Sequence, residues 1–372
     1  MEHGNQGASP ARIAWRRFRS FGPGMIGLGY LLLCLLVAVF ANGLSPDSSR
    51  HANLQILELA NMPPGTTVES IRLPLLQHQA SQGGAWLGRP ASYQLIPLAP
   101  GSDWELTPTH LRYQHWSGVM DSVTLTQLST EGIWDRERMT RSGLETRTFW
   151  MGTDAYGRDV MSRVLQGSRV SLAVGLLSVL VSLVIGVSLG TLAGFFGGWV
   201  DKIIMWLISV MWAIPTLLLA LALSFVLGKG FWQLFVAIGI SMWVEVARMV
   251  RGQILLVREL PFAEAGTALG FTSGRLMWRH ILPNVLSPII VIAVANFGAA
   301  VLIESGLSFL GIGVEVPIPS WGRMIYEGYT YIVFESGKWL AFFPGMALIL
   351  LIVSINLVGI GLRDALDVRL AE

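Results

Sequence analysis

The chain has 372 residues, 52% of them hydrophobic and only 13% charged, with a formal net charge of +2 and a mean hydropathy of +0.56. That composition excludes a soluble globular enzyme and describes a polytopic membrane protein. Lys202, Lys229 and Lys338 are the only lysines and no basic block exists, which argues against nucleic acid as a partner. Cys34 is the sole cysteine, so neither an internal disulfide nor a cysteine metal site can form.

Residues 1–23 read as a cytoplasmic tail ending in Trp15-Arg16-Arg17-Phe18-Arg19, a basic, aromatic run suited to an anionic inner leaflet. A first transmembrane helix follows at 24–43. Its apolar run exceeds that of a signal peptide and Ala41-Asn42-Gly43 is a poor cleavage site, so it reads as an uncleaved anchor. Residues 44–147 form an extracytoplasmic insertion much longer than an ordinary connection. Alternation over 92–98 and 122–128, with turn signals at Pro63-Pro64-Gly65 and Pro100-Gly101-Ser102-Asp103, predicts small β-strands without a large core. His110 and His115 have no nearby acidic or cysteine pair and read as solvated loop residues, not metal ligands.

Residues 148–169 read as an interfacial amphipathic segment with Val160, Val164 and Leu165 turned to the bilayer. The remainder, 170–372, carries further spans at 170–196, 203–227, 231–250, 285–303 and 339–361, each approaching or exceeding the roughly 20 residues a bilayer core requires. The expected fold class is therefore an all-α polytopic membrane protein of six transmembrane helices, an N-terminal anchor plus a five-helix core, with a β-containing extracytoplasmic insertion. Gly175, Gly186, Gly190 and Gly194 predict close helix packing. Arginines near the span ends place both termini and the loop 258–284 in the cytoplasm; Arg158, Arg163 and Arg169 run against that pattern, before a span following a long translocated segment.

Ionisable groups within or beside a membrane call for a reason. Glu245 and Arg248 are spaced to form a structural salt bridge on one helix face, the alternative being a proton relay. Glu304 closes the fifth span, and the Gly-bounded stretch after it reads as a partly inserted loop. Glu304, Ser305, Ser308 and Phe309 are thus candidates for a solute path or gate, the alternative for Glu304 being an interfacial position. No catalytic constellation and no metal site is found. Between the fourth and fifth spans, Pro261 suits a first helical turn, Phe262, Ala263, Ala265, Gly266 and Leu269 leave a small apolar side, and Gly270 permits a sharp turn. Held outside the bilayer, such a helix predicts docking into a groove of another protein.

Glu264-Ala265-Gly266, three residues, Gly270, and then Leu282-Pro283 resembles the EAA loop of ABC importer permeases, with Gly266 in place of a second Ala. Further segments resemble the second permease of dipeptide, oligopeptide, nickel and glutathione importers: Gly152-Thr153-Asp154 with Gly157-Arg158-Asp159, Gly197-Gly198-Trp199-Val200-Asp201, Leu307-Ser308-Phe309-Leu310-Gly311, Pro319-Ser320-Trp321-Gly322 and Gly361-Leu362-Arg363-Asp364. Ile360 and Val368 depart from the common pattern, and the insertion 44–147 is absent from most compact members.

This resemblance implies a multi-pass permease of the bacterial inner membrane that pairs with a homologous second permease, two ATPase subunits and a periplasmic or extracellular solute-binding protein. Coupling would run through Glu264, Ala265, Gly266, Leu269, Gly270, Leu282 and Pro283. Di- or oligopeptides are the implied solute, with nickel complexes and glutathione as alternatives. The chain itself would hold no cofactor; ATP and Mg would bind the ATPases, consistent with the lack of a Gly-x-x-x-x-Gly-Lys-Ser/Thr motif here. An ion-coupled secondary transporter, which would show midplane charges and an internal repeat, and a membrane-anchored receptor are the competing classes.

Overall fold

The structure is a computed structural model that describes residues 10–47, 49–74, 93–102, 104–107, 109–124, 144–332 and 337–366. Two compact units emerge. One comprises Met1–Leu35, Ser171–Glu315 and Leu348–Glu372, the other Leu36–Val170 and Val316–Ala347. Among the described residues five helices are long and apolar enough to cross a membrane, or six if one sharply bent pair counts as a span.

Among the described residues the longer helices are α1 (Pro10–Ser20), α2 (Gly22–Leu44), α3 (Val160–Phe196), α4 (Gly198–Trp212), α5 (Thr216–Leu227), α6 (Phe231–Arg258), α7 (Pro261–Ala268), α8 (Leu286–Phe309), α9 (Trp321–Tyr329) and α10 (Lys338–Leu366). In the first unit α3 lies against α6 through glycine. A Cβ on Gly186 would stand 2.5 Å from the Cβ of Val246, and one on Gly190 2.5 Å from the carbonyl oxygen of Ala247. The reciprocal contact is made by Gly239, whose added Cβ would meet Val181 at 2.6 Å. Small residues are required here because the two backbones nearly touch, as the glycine spacing of α3 predicts.

The expected span 203–227 is instead two helices. α4 and α5 meet at 92°, the break falling at Ala213–Pro215. Pro215 has no amide hydrogen to donate and disfavours helical geometry at Ile214. Two other expectations are also corrected. The stretch after Glu304 is not an inserted loop, since α8 continues through Phe309 and only Gly311, at φ +79°, breaks the direction. Glu245 and Arg248 form no ion pair among the described residues. The Arg248 guanidinium lies 3.5 Å from the centre of the Trp212 ring, a cation–π contact available because the bend brings the end of α4 to α6.

Among the described residues the second unit holds two antiparallel three-stranded sheets built from β1 (Thr66–Pro74), β2 (Tyr93–Pro97), β3 (Trp104–Leu106), β4 (His110–Gln114), β5 (Met120–Thr124) and β6 (Leu144–Phe149), in the orders β2-β1-β6 and β3-β4-β5. Ile71 pairs with Ile96, and both join Leu98, Leu111 and Tyr113 in one core; Ile56, Leu59, Val68, Leu95 and Phe149 make another. The alternation predicted over 92–98 falls on β2; that over 122–128 falls on β5 through residue 124, and residues 92 and 125–128 lie outside the described set. His115 sits 3.3 Å from the carboxylate of Glu58, and no group of three or more metal-ligating side chains occurs among the described residues.

No separate interfacial helix occupies 148–169. Residues 152–159 are a knot of turns, and α3 runs from Val160 without interruption. Val160 is 1% exposed and packs with Met324 and Leu340, so its apolar face meets protein where a bilayer was expected. Gly157 makes the knot feasible: at φ +68° it comes so close to Ile56 that a Cβ would overlap the Ile56 carbonyl. Asp154 then accepts hydrogen bonds from the amides of Tyr156 (2.9 Å) and Arg158 (3.0 Å), and Asp159 caps α3 by accepting from the amide of Ser162 (3.0 Å).

Candidate functional site

The segment from Arg258 to Val285 is one folded-back excursion. α6 ends at Arg258, Leu260 turns the chain, and α7 starts with Pro261 in its first turn. Gly270, at φ +78° with open space around its Cα, ends the excursion's outward run. A short helix at Ser273–Arg275, a π-helical stretch Leu276–Ile281 and a 3-10 turn Leu282–Val285 lead back into α8.

The two sides of α7 have different neighbours. Ala263 and Gly266 are buried, and a Cβ on Gly266 would stand 3.0 Å from Leu276 and 3.2 Å from Phe271. Of the expected small apolar side, Ala263 and Gly266 therefore serve close packing within the chain, while Phe262, Ala265 and Leu269 stand exposed. The exposed side carries Phe262, Glu264, Ala265 and Leu269, the last 75% exposed. Gly270 and Pro283 are exposed, and Leu282 is half-buried.

What α7 rests on is continuous with the membrane helices. Ala263, Leu276, Ile281 and Val285 form one core with Val246, Val250 and Ile254 of α6 and Ile289 of α8. Displacement of α7 must be passed to both helices, since packed interiors do not deform freely. The same end of the unit is cross-tied by charge. Arg251 holds Asp201 through two hydrogen bonds, one of 2.7 Å from Nη2, and Arg258 donates to the carbonyl of Phe195 at 3.0 Å, at the C-terminus of α3. Phe271 stacks on His280 with ring centres 5.2 Å apart, and Arg275 covers Phe271 at 4.5 Å.

The candidate path residues occupy a different setting. Glu304 is fully buried; its carboxylate accepts from Ser308 (2.7 Å), Ser171 (3.3 Å) and Ser305 (3.4 Å). Ser308 is buried against Gly313, and Phe309 is half-buried at the end of α8. These residues are brought together, as a polar joint between α3 and α8. Ser171 had no signal in the sequence, standing far from Glu304 along the chain.

An exposed ionisable group lies elsewhere. Glu245, midway along α6, is exposed and lines a cavity of about 80 Å³ with Trp212, Thr216, Ser241, Ala299 and Ile303. Intramembrane charges are stable only when turned to water or protein, which is why Glu245 stands out in the sequence, where Arg248 is its expected partner. Trp212 carried no such signal.

Long apolar helices with an outlying helix packed against the ends of two of them are the arrangement that the resemblance to importer permeases implies. Residues 186–372 match the family described as binding-protein-dependent transport system inner membrane component, and residues 9–64 match the N-terminal TM domain of oligopeptide transport permease C. Among similar proteins, the dipeptide transport system permease protein DppC of Alkalihalophilus pseudofirmus is 40% identical over 59% of this chain and 72% of its own. The glutathione transport system permease protein GsiD of Pectobacterium atrosepticum is 39% identical over 64% and 78%. The oligopeptide transport system permease protein OppC of Bacillus subtilis is 37% identical over 61% and 74%. A solved structure of the inward-facing MetNI methionine ABC transporter overlaps with a TM-score of 0.46 and 19% identity, over 56% of this chain and 98% of that one. The chain belongs to the binding-protein-dependent inner membrane component family. It is a DppC/OppC-like permease subunit of an ABC importer, a multi-pass inner membrane protein.

Proposed function

We propose that this permease carries di- or oligopeptides, pairing with a homologous second permease to form the path, with two ATPase subunits on the cytoplasmic side and a solute-binding protein outside. The chain contributes no catalytic residue and no metal or cofactor site; ATP and Mg are held by the ATPases. Both termini and the loop 258–284 face the cytoplasm, while residues 44–147 face outward toward the binding protein. The observation that carries this reading is the two-sided α7, with Ala263 and Gly266 packed into a core shared with α6 and α8 while Glu264, Ala265 and Leu269 stand clear.

Closure of the ATPases pushes on that exposed side, with Gly270, Leu282 and Pro283 shaping the excursion, and the shared core transmits the push to α6 and α8. Glu304, Ser305, Ser308 and Phe309 act as a gate joint that keeps α3 and α8 together as the spans swing. Peptide is favoured over nickel complexes by the relatives matched above, and glutathione, itself a peptide-like solute, remains the alternative. The test is uptake of a labelled dipeptide into proteoliposomes containing all subunits, with ATP inside. ATP-dependent accumulation that requires the binding protein is expected; accumulation driven by an ion gradient without ATP overturns the reading.

A further inference from the structure

Within the second unit a cavity of about 190 Å³ is faced by three guanidinium groups, Arg158, Arg163 and Arg323, and by two carboxylates, Asp154 and Glu327. The Arg158 and Arg163 side chains are each only 2% exposed. Arg158 is well paired, with Nε 2.6 Å from Asp154 and Nη2 2.9 Å from Glu327. Arg163 reaches the same two oxygens second, at 3.5 and 3.3 Å. Its Nε and Nη1 hydrogens find no acceptor among the described residues. Glu327 is further shared with Arg323, 3.1 Å away.

The cavity thus has one positive charge more than its carboxylates balance; the unpaired Arg163 hydrogens are closed off from solvent, so the guanidinium open to a ligand is that of Arg323, with 23% of its side chain exposed. An uncompensated charge in a largely buried cluster is costly, so an anion seated against Arg323 that supplied the missing charge would be held firmly. The faces of two of the guanidiniums are covered by rings, Arg158 by Tyr156 at 4.6 Å and Arg323 by Tyr326 at 5.6 Å. Ring-covered faces leave the N–H edges as the binding surfaces. A planar two-oxygen monoanion matches a guanidinium edge, whereas a phosphate brings charge beyond the single excess.

We propose that this cavity binds a carboxylate, and that its occupant is the C-terminal carboxylate of a short peptide. The site itself stands on the charge geometry; only the identity of the occupant rests on the peptide reading above.

The test is saturation-transfer NMR on the assembled transporter in nanodiscs, with acetate as the probe. Arg323 is the residue to change because it is the least buried of the three and its removal leaves Arg158 and Arg163 balanced by Asp154 and Glu327. Arg323→Gln is expected to weaken acetate binding by about tenfold or more, the scale of a lost charge-assisted hydrogen bond, and Arg323→Lys is expected to retain most of it. Alanyl-alanine should displace acetate from the wild type, and its C-terminal amide should not. Absence of acetate transfer, or equal transfer in wild type and Arg323→Gln, overturns the site. Equal displacement by the dipeptide and its amide overturns the peptide occupant. A failure of dipeptide uptake, by contrast, would sink the transport reading without altering the acetate result.

Discussion

Truncation at Leu269 and enlargement at Gly266 separate the two sides of α7. Leu269 is 75% exposed, so Leu269→Ala removes almost nothing from the chain's own packing and should leave permease stability within about 0.5 kcal/mol. If this side is buried against an ATPase, the same truncation removes about 1.5–3 kcal/mol of apolar burial from the interface. That loss weakens assembly roughly tenfold to a hundredfold. Gly266→Val is the converse. A bare Cβ there already stands 3.0 Å from Leu276, so the two further methyl groups force Leu276 and Phe271 aside at about 1–3 kcal/mol within the chain. Thermal unfolding of the isolated permease, beside titration of the ATPase subunits onto permease in nanodiscs, reads both quantities. Leu269→Ala should lower ATPase affinity alone, and Gly266→Val should lower the melting temperature. Unchanged ATPase affinity in Leu269→Ala would refute the assignment of the exposed side as the docking face.

Gly190→Leu should prevent stable folding, because even a Cβ at that position lies 2.5 Å from the Ala247 carbonyl oxygen; loss of a monodisperse detergent-solubilised protein is the readout. Glu304→Ala removes the carboxylate that accepts from Ser308 and Ser171 and should lower stability by about 1–3 kcal/mol, visible as a drop in melting temperature that Glu304→Gln partly restores. Burial and the neighbouring Arg50 and Arg163 charges hold His51 below its ordinary value of 6.5, so the unfolded chain takes up the proton first on acidification. The contribution of His51 is therefore intact above pH 6.5 and is lost as the pH falls from there toward its folded value. Thermal unfolding from pH 7.5 to 5 should show a smaller decline in His51→Asn than in wild type.

Composition and period alone determined that this is a helical membrane protein, since hydrocarbon admits only segments whose backbone groups are satisfied internally. Local chemistry likewise placed the α7 turn: Pro261 and Gly270 act within their own neighbourhoods, and no distant partner is needed to read them. The glycines of α3 announced close packing without saying against what. Only the fold supplied Val246 and Ala247 as the surfaces they meet. Tertiary structure also decided matters that a one-dimensional pattern cannot contain. An apolar face at Val160 and a small face at Ala263 and Gly266 look the same in sequence whether the neighbour is lipid, a partner or the chain itself. Arg248 had Glu245 one turn away, yet the break at Pro215 brought Trp212 over it. Glu304 drew its third hydroxyl from Ser171 on α3, and Arg163 its second carboxylate from Glu327 on α9. Hydrogen bonds and ion pairs depend on a few ångströms of separation in space, and chain order does not encode that separation when the partners lie on different helices.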